Sequence, residues 1–282
     1  MKPPHIALAP FFALVALLAL PALAQGWRYG GTDAGKGRGR MATPGPAACA
    51  IGRWPDCDLQ LALARGLIET GLKPAFAAEA DCRGIDEGYA IDYGGKRDRE
   101  QYHGGIDLPA PWGTPMIAAA AGTVVGRFSG ERSFRGIEIV LRHAPEDTGL
   151  PLWIYTGYGH CAELPSLEPG RRVRMGETIC ATGNSGIGRT GTQSNRRRPA
   201  IHFSAFFSAS EAYEEVRNVI VPADGYWMDP LALYRKGPPF DSAAMKALPE
   251  ADKRVAIPVM FEDGRTLPAD TRVVWPYACA RR

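Results

Sequence analysis

Between residues 112 and 208 the chain is a succession of short β-prone runs cut by glycine: TPMIAAAAGTVVGRF, GIEIVLRHAP, LWIYTGYGH, ETICATGNSG and AIHFSAFF. No helical period separates them. Strands of this length and spacing have no room for helical crossovers, so they pair antiparallel, and the chain reads as mainly β, a sandwich, roll or partial barrel. β-branched and aromatic residues dominate several runs, as half-buried strands favour. On the N-terminal side, residues 25 to about 56 are rich in Gly and Pro without an apolar period and read as a linker or pinned loop. DLQLALARGLIETGL then carries apolar residues at Leu59, Leu61, Leu63, Leu67 and Ile68 behind Asp58, a helix with an N-cap. After the strands, SASEAYEEVRNVIVPADGYWMDPLALYRKGPP reads as a short helix and a loop returning to the sheet. The last segment, RVAIPVMFEDGRTLPADTRVVWPYAC, reads as a hairpin around EDGR.

The first 24 residues belong to a different class. Lys2 precedes the apolar run IALAPFFALVALLALPALA, which ends in Ala22-Leu23-Ala24, the pattern of a cleaved secretory signal peptide. An uncleaved anchor is the rival, but Pro10 and Pro21 interrupt a run already marginal for crossing about 30 Å of hydrocarbon. Export to the periplasm or medium, with no stable membrane anchor after cleavage, is the expectation. Of the 33 basic and 30 acidic side chains, the signal holds one lysine and no acid, which leaves a net charge of +2. So balanced a charge argues against nucleic acid as a partner, and the run Arg196-Arg197-Arg198 reads as a solvated loop. All six cysteines lie in the exported part, and an even count in an oxidising compartment reads as disulfides with fifteen possible connectivities. If Cys161 and Cys180 occupy neighbouring strands they can bridge each other, leaving Cys49, Cys57, Cys82 and Cys279 to tie the two ends to the body.

Chemistry concentrates around QYHGGIDLPAP, residues 101 to 111. Donor atoms on one zinc ion stand roughly 3 to 4 Å apart, whereas positions four apart in a straight strand are about 13 Å apart. Gly104-Gly105 and Pro109 disfavour a helix. Two glycines after His103 let the chain take φ values other residues avoid and fold Asp107 back beside His103. A third donor, His202, lies in the strand IHFSAFF. Three such ligands plus water make the open coordination of a catalytic zinc rather than a closed structural site. Taken singly, His103, His143, His160 and His202 each have the alternative of an ordinary hydrogen-bonded histidine, and His143 reads best that way.

Together these residues resemble the lysostaphin-type, or LytM-like, zinc endopeptidases of bacterial cell walls. The matches are His103-Gly-Gly-Ile-Asp107, Tyr158-Gly-His160 and Ala200-Ile201-His202. GTPMIAAAAGTVV, RRVRMGETICATGNSG and ADGYWMDPLALY resemble further family segments, so the likeness spans about residues 86 to 235. It implies an antiparallel β fold with a groove, the duplicated hybrid motif of that family with short helices added, and one Zn²⁺ held by His103, Asp107 and His202. It further implies that His160 assists catalysis, with Tyr158 and Arg198 as auxiliary candidates. The family pattern places a second catalytic histidine where this chain has Ala200, a side chain with no proton to move. Losing such a group costs a factor of about 10² to 10⁴ in rate; Arg196 to Arg198, or His143, are the candidates to compensate.

The expected organisation is a signal peptide (1–24), a Gly/Pro-rich and short helical cysteine-containing region (25–85), a LytM-like peptidase domain (86–235) and a C-terminal hairpin extension (236–282). The two flanking segments are candidates for a lid over the groove. Two functions compete. One is a periplasmic or secreted zinc metalloendopeptidase of reduced activity, cutting peptide bonds of peptidoglycan. The other is a degenerate module that binds wall peptide or activates a wall amidase. The intact ligand triad favours the first and Ala200 the second. A disulfide-rich structural protein with a chance H-x-x-x-D is the bland alternative.

Overall fold

The computed structural model describes residues 43–97, 99–130, 133–187 and 197–282. The signal peptide expected over residues 1–24 lies outside these residues, as does Arg196. The described part falls within one compact unit, Ala42–Arg282.

Its centre is a seven-stranded sheet built from β1 (Ile106–Pro109), β2 (Gly122–Phe128), β3 (Glu138–His143), β4 (Trp153–Gly159), β5 (Arg172–Val173), β6 (Ala200–Ser208) and β7 (Tyr226–Met228). The order is β7-β6-β4-β3-β2-β5, with every pairing antiparallel, as the glycine-cut runs predict. One edge of β6 carries β4, and the other carries β1 followed by β7. Such a strand is buried on both faces, and eight of its nine residues are buried. The register decides the site. His202 stands opposite Asp107 of β1 on one side and Gly159 of β4 on the other, so three strands deliver side chains to one row.

Several local readings hold. Asp58 caps the helix Leu59–Ala64 by accepting from Gln60 N (2.9 Å), and Gly66, at φ +92°, ends the run. Two others change. Residues 46–52, read as linker or loop, form a helix that starts on Pro46, whose missing N–H costs nothing at a helix start. The segment read as a helix near residue 213 is a hairpin, Tyr213–Val216 with Val219–Pro222. Arg217 and Asn218 both have positive φ (48° and 60°), the pattern of a type I′ turn. The β-branched residues Val216, Val219, Ile220 and Val221 outweigh the helix formers of SEAYEE.

The ends of the described chain meet. Lys73–Ala75 pairs in parallel with Arg254–Ala256, and Ala80–Asp81 pairs with Ala280–Arg281 beside the Cys82–Cys279 disulfide. Trp275, fully buried, donates its indole N–H to Arg83 O (2.9 Å). The hairpin expected around EDGR is present as Val259–Met260 with Thr266–Leu267. Cys161 and Cys180 are bonded, and Pro115–Ile117 pairs with Thr178–Ala181 alongside. Cys49–Cys57 closes a local loop of separation 8 instead of tying an end to the body.

Candidate metal centre

The bend after His103 forms, for a reason other than unusual φ. Neither Gly104 nor Gly105 has a positive φ. What they lack is a side chain where none would fit: a Cβ on Gly104 would sit 2.6 Å from Arg53 Nη2 and 2.7 Å from the Trp227 ring, and one on Gly105 would sit 2.6 Å from Phe203 O. The neighbouring backbone locks the bend on its outer side. His103 N–H donates to Ile91 O (2.9 Å), Ala90 N–H to His103 O (2.8 Å), and Asp107 N–H to Glu87 O (2.9 Å).

His103, Asp107 and His202 come together. His103 Nε2 lies 3.1 Å from His202 Nδ1 and 3.3 Å from Asp107 Oδ1, and the His202 to Asp107 edge is 3.0 Å. Donors about 2.05 Å from a tetrahedral zinc stand about 3.3 Å apart, so this triangle already has the size such an ion requires. The tautomers agree. Gly88 O, which can only accept, lies 3.0 Å from His103 Nδ1 and so fixes the proton there, leaving the Nε2 lone pair to the triangle. His202 turns Nδ1 to the triangle while its buried Nε2 has no hydrogen-bond partner and packs toward Gly105. Burial pushes the His202 pKa down to about 4, which keeps the ring neutral and able to ligate. Burial opposes ionisation of Asp107, but the imidazoles of His103 and His202 beside it outweigh burial and lower its carboxyl below the usual range.

His160 follows β4 in the left-handed region (φ 63°), held by its N–H to Arg135 O (2.7 Å). That single backbone rotation turns its ring toward His202, with ring centroids 5.9 Å apart. Ser185 O accepts from Nδ1 (2.8 Å), so Nε2 carries the lone pair. Burial, then the charge of Arg197, push its pKa down to about 3. Tyr158 goes elsewhere. It is buried in the core, packed on Phe203, and its hydroxyl accepts from Ala119 N (2.8 Å), so the auxiliary role expected of it finds no support in its position. His143, as read from the sequence, is an ordinary buried residue, bonded to Ala121 O (2.6 Å).

A cleft of about 270 Å³ opens over the triangle. Ala200 is part of its wall. So are Arg197, which is half-buried, and Arg198, which is exposed as the loop reading expects. Arg198 pairs with Asp86, and Arg197 Nη1 donates to Phe134 O (3.0 Å) and Ser185 O (3.2 Å) alongside the His160 ring. Arg53, Glu87 and Tyr93 also line the cleft, and no sequence signal pointed to them. Arg53 is placed by the Cys49–Cys57 loop, donating to Tyr102 O (2.5 Å) over the face of Trp227. The residues lining the cleft include none from the C-terminal tail.

Residues 101–212, which contain His103, Asp107, His160 and His202, match peptidase family M23. That segment is similar to the M23 peptidases. Among solved structures the chain is similar to LytU (24% identity over 45% of this chain and 74% of that one, TM-score 0.35). It is also similar to the catalytic domain of lysostaphin from Staphylococcus simulans (21%, 46% and 84%, TM-score 0.34). A third is an alanine-to-histidine mutant of the catalytic domain of EnpA, a prophage-encoded M23 protein from Enterococcus faecalis (25%, 48% and 85%, TM-score 0.33). No curated protein matches the chain. The M23 match begins at Gln101, two residues before the first candidate ligand, and ends beyond β6. Glu87, Tyr93 and Arg53 therefore reach the cleft from outside the matched segment.

Proposed function

We propose that the protein is a zinc metalloendopeptidase acting on peptide bonds of bacterial peptidoglycan, exported to the periplasm or medium. The observation that carries this is the triangle of His103 Nε2, Asp107 Oδ1 and His202 Nδ1, whose edges of 3.0 to 3.3 Å fit one tetrahedral zinc without rearrangement. Bound there, zinc supplies a Lewis acid that polarises a carbonyl and acidifies water. The chain's own residues supply the rest. Gly88 O fixes the proton of His103 on Nδ1, burial keeps His202 neutral, and Asp107 stands beside both as the anionic ligand. His160, protonated on Nδ1 by its bond to Ser185 O, turns the Nε2 lone pair to the cleft, where it takes a proton from the attacking water and returns it to the leaving amine. Disulfides join all six cysteines, which supports export to an oxidising compartment.

Ala200 favours a second reading. With methyl instead of imidazole on that wall of the cleft, the domain would bind wall peptide, or activate a wall amidase, without cutting. Release of new amino groups from purified peptidoglycan, with His103→Ala as control and zinc content measured on both, separates the two. Zinc-dependent release lost in the variant supports the peptidase. A folded, zinc-loaded chain that releases nothing supports the module.

A further inference from the structure

Glu87 stands beside the ligand triangle on a segment that the M23 match does not reach. It pairs with Asp107 across an isolated antiparallel bridge, Asp107 N–H donating to Glu87 O (2.9 Å). Asp107 is in turn opposite His202 of β6. Residues directly opposite in antiparallel strands face the same side of a sheet. Glu87, Asp107 and His202 therefore form one row, and all three line the cleft. The backbone on the C-terminal side of Glu87 is tied to the first ligand: His103 Nδ1 donates to Gly88 O (3.0 Å), and Ala90 N–H donates to His103 O (2.8 Å).

Among the described residues the side chain of Glu87 has one partner, the Tyr93 hydroxyl, which donates to Oε2. Tyr93 is buried and packs edge-on against His103, with ring centroids 5.5 Å apart. One carboxylate oxygen is thus held in place, while Oε1 is accessible from the cleft. An ionised carboxylate only accepts hydrogen bonds, so what meets Oε1 must be a donor. Besides the candidate ligand Asp107, Glu87 is the only acidic side chain among the described residues that line the cleft. Two of the arginines that share this lining are engaged with other carboxylates, Arg198 with Asp86 and Arg135 with Glu138 (3.2 Å). We propose that Glu87 is a specificity-determining residue that binds a side-chain ammonium group of the peptide in the cleft, next to the metal centre. This rests on the reading of the cleft as a wall-peptide site, and it holds for the peptidase and for the non-cutting module alike. An ammonium offers three donors and no acceptor, and a hydrogen bond between ionised partners is about twice as strong as a neutral one.

The test is a cycle of two changes, Glu87→Gln in the protein and acetylation of the amine in the peptide. Glutamine keeps an oxygen to accept from Tyr93 and removes the charge. The probe is a synthetic wall-type peptide with a blocked N-terminus, its one lysine amine free or acetylated. Calorimetry measures binding to the zinc-loaded chain carrying His160→Ala, which prevents cutting during the titration. Zinc content and melting temperature are checked for each variant, and release of new amino groups from peptidoglycan is measured on wild type alongside. With Glu87 present, the free amine should bind about tenfold more tightly than the acetylated one. In Glu87→Gln the two affinities should agree within about twofold. Equal affinity for the two peptides with Glu87 present would overturn the proposal, as would a preference that survives Glu87→Gln. Equal weakening of both peptides in Glu87→Gln, with the preference kept, would make Glu87 only a support for Tyr93. If Glu87→Gln fails to fold, Glu87→Asp decides, because a carboxylate shortened by one methylene should lose most of the preference, and an unchanged preference would overturn the proposal. Binding of neither peptide defeats the wall-peptide reading and the proposal with it. Amine-selective binding without release of amino groups from peptidoglycan defeats the peptidase reading alone.

Discussion

Replacing Gly105 with alanine perturbs the metal centre without touching a ligand. The new Cβ would lie 2.6 Å from Phe203 O, 2.9 Å from His202 Nε2 and 3.0 Å from His202 Cε1. Carbon and oxygen settle at about 3.3 Å or more, so about 0.7 Å must be found. Phe203 O belongs to β6, whose position is fixed by β4 on one edge and β1 on the other, so the carbonyl cannot retreat. The backbone at residue 105 must therefore back away, which strains the bend between His103 and Asp107 and presses on the His202 ring, and a shift of a few tenths of an ångström exceeds the tolerance of about 0.2 Å on a metal–ligand distance. Disturbing the support of a ligand typically costs about 10- to 100-fold in metal affinity, or about 1.4 to 2.7 kcal/mol. Zinc affinity, measured by competition with a chromophoric chelator, should fall by that factor in Gly105→Ala, and the metal-free form should lose about 1 to 3 kcal/mol of stability. Gly95→Ala is the control. Its Cβ meets nothing within 4 Å, so stability should hold or rise slightly. Wild-type zinc affinity in Gly105→Ala would refute the claim that the glycine pair exists for close packing at the ligands.

Three further predictions test other parts of the structure. His143 is fully buried, and burial pushes its pKa down to about 4 from about 6.5 in the unfolded chain. Between those values the unfolded chain binds a proton that the native state refuses, so the neutral ring's contribution is complete above pH 6.5 and is lost as pH falls toward 4. The loss should be about 3 kcal/mol, and unfolding in urea across this range should show a shallower pH slope in His143→Gln than in wild type. Ala200→His in the otherwise unchanged chain should raise kcat on peptidoglycan about 100-fold, the lower end of what one positioned acid–base group contributes; no gain would deny that the position faces the reacting bond. Converting Cys82 and Cys279 to serine opens a closure of sequence separation 197; loop entropy sets a ceiling of about 5 kcal/mol on the loss. The denaturation midpoint should drop while zinc stoichiometry persists, because none of the three ligands lies in the paired terminal segments.

The strand runs from Pro115 to Ser208 were legible because period, β-branched content and glycine cuts are local properties of a pleated, half-buried chain. The three candidate ligands were legible because the order of H-x-x-x-D, Y-x-H and the strand bearing His202 resembles a known family; spacing alone would leave H-x-x-x-D a chance match. What Gly104 and Gly105 are for was not legible: their neighbours Arg53, Trp227 and Phe203 are remote in sequence, and only packing brings them near. The hairpin at Tyr213–Pro222 was misread because SEAYEE has local helix propensity, and pairing with Val219–Pro222 overrides it. Tyr158 and His160 show the same division. Two positions apart in a strand, they would share a face, yet the left-handed φ of His160 sends one into the core and the other to the cleft. Sequence alone thus determined the strand grammar, the ligand types and the even set of cysteines, because these follow from local chemistry and motif order. Tertiary structure decided that His202 sits opposite Asp107, that the middle arginine of three lies against His160, and that the two ends of the described chain close on each other. These depend on register and on contacts between residues up to about two hundred positions apart, which no local pattern encodes.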